Sequence, residues 1–279
     1  MRRKIYEIAG RILLYGCAAV TALLLLFLIG YILFRGIGGI NWRFLSTAES
    51  VINHTVGILP AIKNTVFVIV VSLAVALPLG VGAAVYLTEY ARSKRFVAAI
   101  EFASETLAGI PSIIYALVGV IIFCTALKLQ KTLLAGSLTL VIMILPTIMR
   151  STQESLKTVP VSFREGALGL GSGKWHMIRT VVLPSSIDGI VTGCILAAGR
   201  VVGESAVLMY TAGMSMAMQR FSPDRLAGAS GATLTVALYH YAKENADFAV
   251  AFSIAAILLI LTVILNFSAN FLGRKLKRS

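Results

Sequence analysis

One apolar stretch carries an arginine and a glutamate well inside it, where hydrocarbon would be expected. It runs from Ile187 to Thr211 and holds Arg200 and Glu204. Taken as a helix at about 100° per residue, it places Gly189, Gly193, Ala197, Arg200 and Glu204 within one sector roughly 80° wide. The lower part of that face is small enough for another helix to approach closely. Further along, opposite charges stand one turn apart. An Arg near mid-membrane costs at least about 2.5–3.5 kcal/mol on insertion scales, which a pairing Glu204 would partly offset. Two readings fit the pair: a structural ion pair between helices, or the lining of a pathway for an ion. Guanidinium presents a planar fork that suits tetrahedral oxyanions, so an ion passing Arg200 would be an anion.

Other chemistry finds little support. No HExxH, GxSxG or paired-Asp pattern occurs, so an intramembrane enzyme lacks a nucleophile, base or metal constellation. The run G-L-G-S-G-K ending at Lys174 resembles a phosphate-cradling loop. That loop requires Gly five places before the Gly-Lys pair and Ser or Thr after it; Leu168 and Trp175 stand there instead. ATP binding is therefore not expected of this chain, and no cofactor is implied. Cys17, Cys124 and Cys194 all lie in apolar stretches and read as small buried hydrophobes. His54, His176 and His240 are far apart in sequence, so a shared metal site would have to be assembled by the fold.

The segment Glu165 to Pro184, E-G-A-L-G-L-G-S-G-K-W-H-M-I-R-T-V-V-L-P, is polar, Gly-rich and flanked by apolar spans. Arg164, Lys174 and Arg179 keep it out of hydrocarbon, and two short helices with a bend near Gly171 are expected. So long and specific a loop between spans points to a docking surface. Its residues resemble the cytoplasmic pattern of ABC-importer permeases, E-A-A-x3-G-x9-I-x-L-P. Glu165, Ala167, Gly171, Leu183 and Pro184 match in register, while Gly166 replaces Ala and Val181 replaces Ile. Gly166 weakens the first helix by about 1 kcal/mol relative to Ala.

A second resemblance is narrower. The run Arg164 to Gly213, with L-A-A-G-R-V-V-G-E-S-A and Y-T-A-G, is similar to the PstA-type permease of the phosphate importer, as are I-P-S-I-I-Y-A-L and Y-L-T-E-Y-A. This implies a type I ABC-importer permease fold, a related PstC-type second permease, a dimer of PstB-type ATPases and a soluble phosphate-binding protein. It also implies that Glu165, Gly166, Ala167, Gly171, Leu183 and Pro184 meet the ATPase, and that Arg200 and Glu204 lie on the substrate pathway. The physics of the guanidinium does not separate phosphate from sulfate, molybdate or tungstate. A stand-alone secondary carrier is a further alternative; it has no need of the Glu165 loop and would often show two related halves, which are not evident here.

The 279-residue chain is 58% hydrophobic and 13% charged, with a mean hydropathy of +0.88. Soluble domains are about 25% charged. An all-α polytopic membrane protein is the direct reading, with spans near Ile12–Phe34, Asn64–Thr88, Thr106–Leu127, Thr132–Met149, Ile187–Thr211 and Phe248–Leu272. The first run is too long for a signal h-region and reads as a retained span. Pro78 and Pro111 mark kinks. Glu101 and Glu105, one turn apart, read as a solvated helix start before span three. A polar loop covers about residues 150–184, and T-L-T-V-A-L-Y-H-Y-A in the connection 212–247 reads as a short interfacial helix. With six spans, sixteen Lys and Arg fall on the side of the termini and eight on the other, which places both termini and the Glu165 loop in the cytoplasm of a bacterial inner membrane. The net charge of +13 flanks the spans and forms no nucleic-acid patch. Residues 1–279 are expected to form a single transmembrane domain.

Overall fold

The computed structural model describes residues 2–50, 55–217 and 228–278. His54, Arg220 and Arg225, counted above, lie outside them. The chain is predominantly helical. Among the described residues four helices are long and apolar enough to cross a membrane: α1 (Arg2–Gly36), α3 (Leu59–Val85, continued by a π turn to Tyr90), α6 (Leu133–Thr158) and α13 (Phe248–Arg278). Two bent pairs supply the remaining spans. One is α4 (Lys94–Ala108) with α5 (Ser112–Gly119, continued by a π turn to Ala126), bent by 100°. The other is the segment Lys174–Ser185 with α10 (Ile187–Gly203), bent by 66°. Short α2 (Trp42–Ser46) and a hairpin of β1 (Ala48–Ser50) and β2 (Thr55–Ile58) follow the first span.

The core is built on α6. Leu140, Met143, Ile144 and Ile148 of this helix are fully buried against Val68, Ile69 and Ala76 of α3 and Ala197 and Val201 of α10. Small residues allow the approach. An added Cβ on Gly80 of α3 would stand 2.8 Å from the Ile148 methyl, and one on Gly193 of α10 would stand 2.9 Å from Ser151 Cβ. Side-chain hydrogen bonds then tie the helices: Ser72 donates to the Ser137 carbonyl (3.1 Å), Ser151 to Gly189 (2.8 Å) and Ser155 to Ser186 (2.9 Å). In an apolar solvent such packing and hydrogen bonding hold helices together. By contrast α1 is peripheral. It meets α13 near Gly36 and through an edge-to-face contact of Tyr31 with Phe252, and its leucines face outward.

Four expectations are corrected. First, α6 does not stop at Met149 but runs to Thr158, so the polar loop begins near Val159 rather than Arg150. An i,i+4 ion pair of Arg150 with Glu154 supports the added turns. Second, no single helix starts at Thr106: α4 ends at Ala108 and α5 begins at Ser112. Proline cannot continue a helix and disfavours helical backbone before it, so Pro111 separates α4 as a distinct helix. Third, the helix expected at the interface, here α12 (Leu234–Tyr239, with a π turn to Glu244), is buried: Leu234, Val236 and Ala237 are at most 1% exposed. Asn64 donates to the Ala232 carbonyl and the Leu234 N–H donates to Thr65, both at 2.9 Å, which draws it against α3. Fourth, the fifth span is broken after Gly203, as described below.

The α6–α10 seam generates a prediction. Gly193→Val should overpack it at a cost of about 1–3 kcal/mol. The thermal unfolding midpoint in mild detergent should fall, whereas Gly16→Ala, at a position with nothing within 4 Å, should not lower it.

Candidate functional site

The segment after α6 is shaped by one turn. Helix α7 (Val161–Gly169) ends with Gly171 in the left-handed region, at φ +84°. The Gly171 N–H donates to Leu168 (2.9 Å) and the Ser172 N–H to Ala167 (3.1 Å), the paired bonds of a Schellman motif, which favour Gly at this place. The chain returns through α8 (Lys174–Met177), a π turn (Ile178–Val182) and α9 (Leu183–Ser185). Met177, Ile178 and Val182 are buried against Ala84, Val85, Met149 and Leu156, anchoring the segment to α3 and α6. Its outer surface keeps Phe163, Leu168, Leu170 and Trp175 exposed, Leu170 at 91%. Glu165, Gly166, Gly171 and Pro184 are also on this surface, and Ala167 and Leu183 are partly buried. Exposed apolar side chains gathered on one polar segment are the signature of an interaction surface.

Arg164 and Glu89 are what sequence reasoning missed. Glu89 lies 75 residues earlier, in the π turn that ends α3, with its side chain 7% exposed. Arg164 Nη2 and Nε both donate to Glu89 Oε1, at 2.9 and 3.1 Å. Its guanidinium also donates to the Leu156 carbonyl (2.9 Å) and the Val159 carbonyl (2.6 Å), at the end of α6. One side chain therefore fills the orphan acceptors of a helix terminus and pairs a nearly buried carboxylate. Lys174 Nζ sits over the Tyr90 ring, 4.9 Å from its centroid. The only local signal was a Glu inside an otherwise apolar run.

In the fifth span the small face packs as its residue types predict: Gly189 and Gly193 lie on Ser155 and Ser151, and Ala197 is fully buried. Of the two readings of the charges beyond it, the structure does not form the ion pair: among the described residues Arg200 and Glu204 are not paired. α10 ends at Gly203, Glu204 is extended (ψ 118°), and the chain restarts as α11 (Ala206–Thr211). Glu204 Oε1 accepts from the Val207 N–H (3.3 Å), and the Glu204 carbonyl accepts from Thr235 Oγ1 (3.0 Å). The carboxylate has turned to the positive end of the next short helix. Arg200 is left partly exposed, and among the described residues it makes no ion pair or hydrogen bond. It stays within electrostatic reach of Tyr115 of α5. Tyr115 is 5% exposed and donates to the Leu107 carbonyl at 2.6 Å, across the α4–α5 bend.

Glu101 and Glu105 do not form a solvated helix start. They occupy the second half of α4 and reach α6: Lys157 Nζ lies 3.0 Å from Glu101 Oε1, and Arg150 Nη1 lies 2.9 Å from Glu105 Oε1. Opposite charge on α6 offsets an unfavourable place near the negative end of α4. Among the described residues no three metal-ligating side chains gather.

Interrupted apolar helices, an arginine within one of them and a polar segment with exposed apolar side chains are the features of a membrane transport subunit. The model of the family described as the inner membrane component of binding-protein-dependent transport systems matches residues 76–278, and the chain belongs to that family. It is 34% identical over 222 residues to the probable ABC transporter permease protein YqgI of Bacillus subtilis, covering 80% of this chain and 76% of that one. It is 39% identical over 159 residues to the phosphate transport system permease protein PstA of Mycobacterium leprae, covering 57% of this chain and 52% of that one. The crystal structure of a bacterial alginate ABC transporter in complex with a pentasaccharide-bound periplasmic protein contains a chain of the same fold, with a TM-score of 0.68, 14% identity and 98% of both chains covered. The protein is an ABC-importer permease, a transport subunit rather than an enzyme.

The Arg164 clasp has a measurable consequence. Arg164→Ala should leave Glu89 buried and unpaired, a loss on the order of 3–5 kcal/mol, and should lower the yield of folded protein and expose the 161–185 segment to limited proteolysis. Adding Glu89→Gln should recover part of the yield. Arg164→Lys should behave closer to Ala than to Arg, because an ammonium cannot bridge a carboxylate and two carbonyls in one plane.

Proposed function

We propose that this chain is the permease subunit of an ATP-driven importer of inorganic phosphate and forms half of its translocation pathway. Residues 1–279 serve as one transmembrane domain, with both termini cytoplasmic in a bacterial inner membrane. A related PstC-type permease completes the pathway, a PstB-type ATPase dimer supplies energy, and a soluble phosphate-binding protein delivers the anion. The observation that carries this reading is Arg200: a permanent charge in a membrane span, partly open and without a protein counter-ion among the described residues. Such a charge is costly in a bilayer and marks a substrate pathway. The relatives named for phosphate transport supply the anion.

The exposed surface around Glu165, Gly166, Gly171, Leu170 and Trp175 is where the ATPase docks. Its buried anchor residues pass the motion to α3 and α6. Two helix ends, that of α3 at Glu89 and that of α6 at Leu156 and Val159, are held by a single guanidinium. The segment therefore moves as a lever with those helices rather than as a free loop.

Arg200→Ala should abolish ATP-driven phosphate uptake while the complex still assembles, and Arg200→Lys should retain little of it. Because Glu204 does not pair with Arg200, adding Glu204→Ala should not restore uptake. Phosphate uptake in whole cells and the amount of purified complex are the two readouts. Normal uptake by Arg200→Ala, or rescue by the double variant, would overturn the anion contact. For docking, Glu165→Lys or Gly171→Pro should leave the chain in the membrane but reduce its co-purification with the ATPase, or uncouple hydrolysis from uptake. Wild-type behaviour of both would remove that role.

A further inference from the structure

The charged cluster around Arg150 is absorbed by neither role above. It lines a cavity of about 480 Å³ between α4, α6 and α10. The cavity follows α6 from Pro146 to Lys157, about 16 Å at 1.5 Å per residue. On α10 it is bounded by Thr192 and Leu196. Arg200 lies four residues beyond Leu196, one turn further along the same helix. Leu196, at this rim, is 55% exposed. The cavity therefore begins one turn from the unpartnered arginine and ends where α6 gives way to the docking segment.

Its charges are arranged unusually. Glu101, Glu105 and Glu154 face Arg150 and Lys157, and both cations are engaged: Arg150 by Glu105 (2.9 Å) and Glu154 (3.2 Å), Lys157 by Glu101 (3.0 Å). Gln153 also donates to Glu101, at 3.4 Å. Arg150, Glu105 and Glu154 are each more than half exposed. Pairs so exposed hold weakly, so an entering oxyanion can replace a carboxylate on Arg150 at small cost. The excess carboxylate repels the same anion. A site that an ion can enter but not dwell in is what throughput requires.

We propose that this cavity is the cytoplasmic release vestibule of the route that passes Arg200, and that Arg150 is a second, transient anion contact whose charge is masked by Glu105 and Glu154. The assignment rests on the phosphate-permease reading for its cargo. Its geometry and charge logic can be tested apart from that cargo. Masking keeps cytoplasmic anions from occupying Arg150 when no substrate is passing, and it leaves the guanidinium available when one arrives from Arg200.

The test uses the assembled importer in inside-out membrane vesicles, with Cys17, Cys124 and Cys194 replaced by Ser and a single cysteine placed by Leu196→Cys. Membrane-impermeant methanethiosulfonates, one anionic and one cationic, are applied from the cytoplasmic face. The proposal expects both to modify the cysteine and the cationic reagent to be favoured. Glu105→Gln with Glu154→Gln should raise the anionic-to-cationic rate ratio about tenfold, the lower end of what a charged cleft does to local ion concentration. Adding Arg150→Gln should remove that gain. Failure of either reagent to react from this face, or a ratio indifferent to all three changes, would overturn the vestibule. The same variants are assayed for ATP-driven phosphate uptake in whole cells: Arg200→Ala with normal uptake defeats the phosphate reading whatever the labelling shows. Loss of uptake in Arg200→Ala together with an indifferent ratio defeats the vestibule alone.

Discussion

A helix in hydrocarbon can break only where its freed backbone groups find partners in the protein or in water that the protein encloses. This chain breaks its helices repeatedly, and at several of the described breaks a side chain takes up a backbone group. At the α4–α5 bend the Tyr115 hydroxyl takes up the Leu107 carbonyl. After α6, Arg164 takes the Leu156 and Val159 carbonyls. Between α9 and α10, Ser155 takes the Ser186 carbonyl. After α10, the Glu204 carboxylate takes the Val207 N–H and Thr235 takes the Glu204 carbonyl. Near residue 213, which has a positive φ, Ser230 donates to Ala212 at 3.1 Å. The bundle is a set of interrupted helices whose interruptions are mended by neighbours.

These mends lie where transport would need them. A continuous span offers no backbone discontinuity at which a helix pair can reorient. Here the 100° bend stands beside Tyr115 and Arg200, and the 66° bend stands between the docking segment and α10. On the proposed docking role, motion imposed on the segment would reach α3 through Glu89, α6 through its last carbonyls, and α10 through the chain itself. Between these breaks α6 is uninterrupted over 26 residues, with Pro146 accommodated inside it. It is the continuous element on which the others pack.

Much of this was legible in the sequence because it depends on local rules. Hydropathy located the apolar stretches, Gly171 marked the turn, and Gly189, Gly193 and Ala197 announced a close helix contact. What escaped was set by distant partners. Periodicity runs smoothly through Gly203 and Glu204, so nothing local showed that the carboxylate would leave Arg200 for the Val207 N–H. The buried home of α12 depends on Asn64 and Thr65, more than 160 residues away. Glu101 and Glu105 looked like a solvated helix start because their counter-ions lie some 50 residues on, at Arg150 and Lys157. The extension of α6 was readable in principle: Arg150 and Glu154 are spaced as a helical ion pair, but their charge argued for a loop.

The central claim is that this chain passes phosphate under the control of a separate ATPase. The direct measurement is uptake of radiolabelled phosphate into proteoliposomes that contain the chain with its second permease, ATPase pair and binding protein. Uptake should require ATP and stop when the ATPase pair is omitted, and excess sulfate or molybdate should not compete. Uptake that persists without the ATPase, or accumulation of sulfate or molybdate in place of phosphate, would contradict the account.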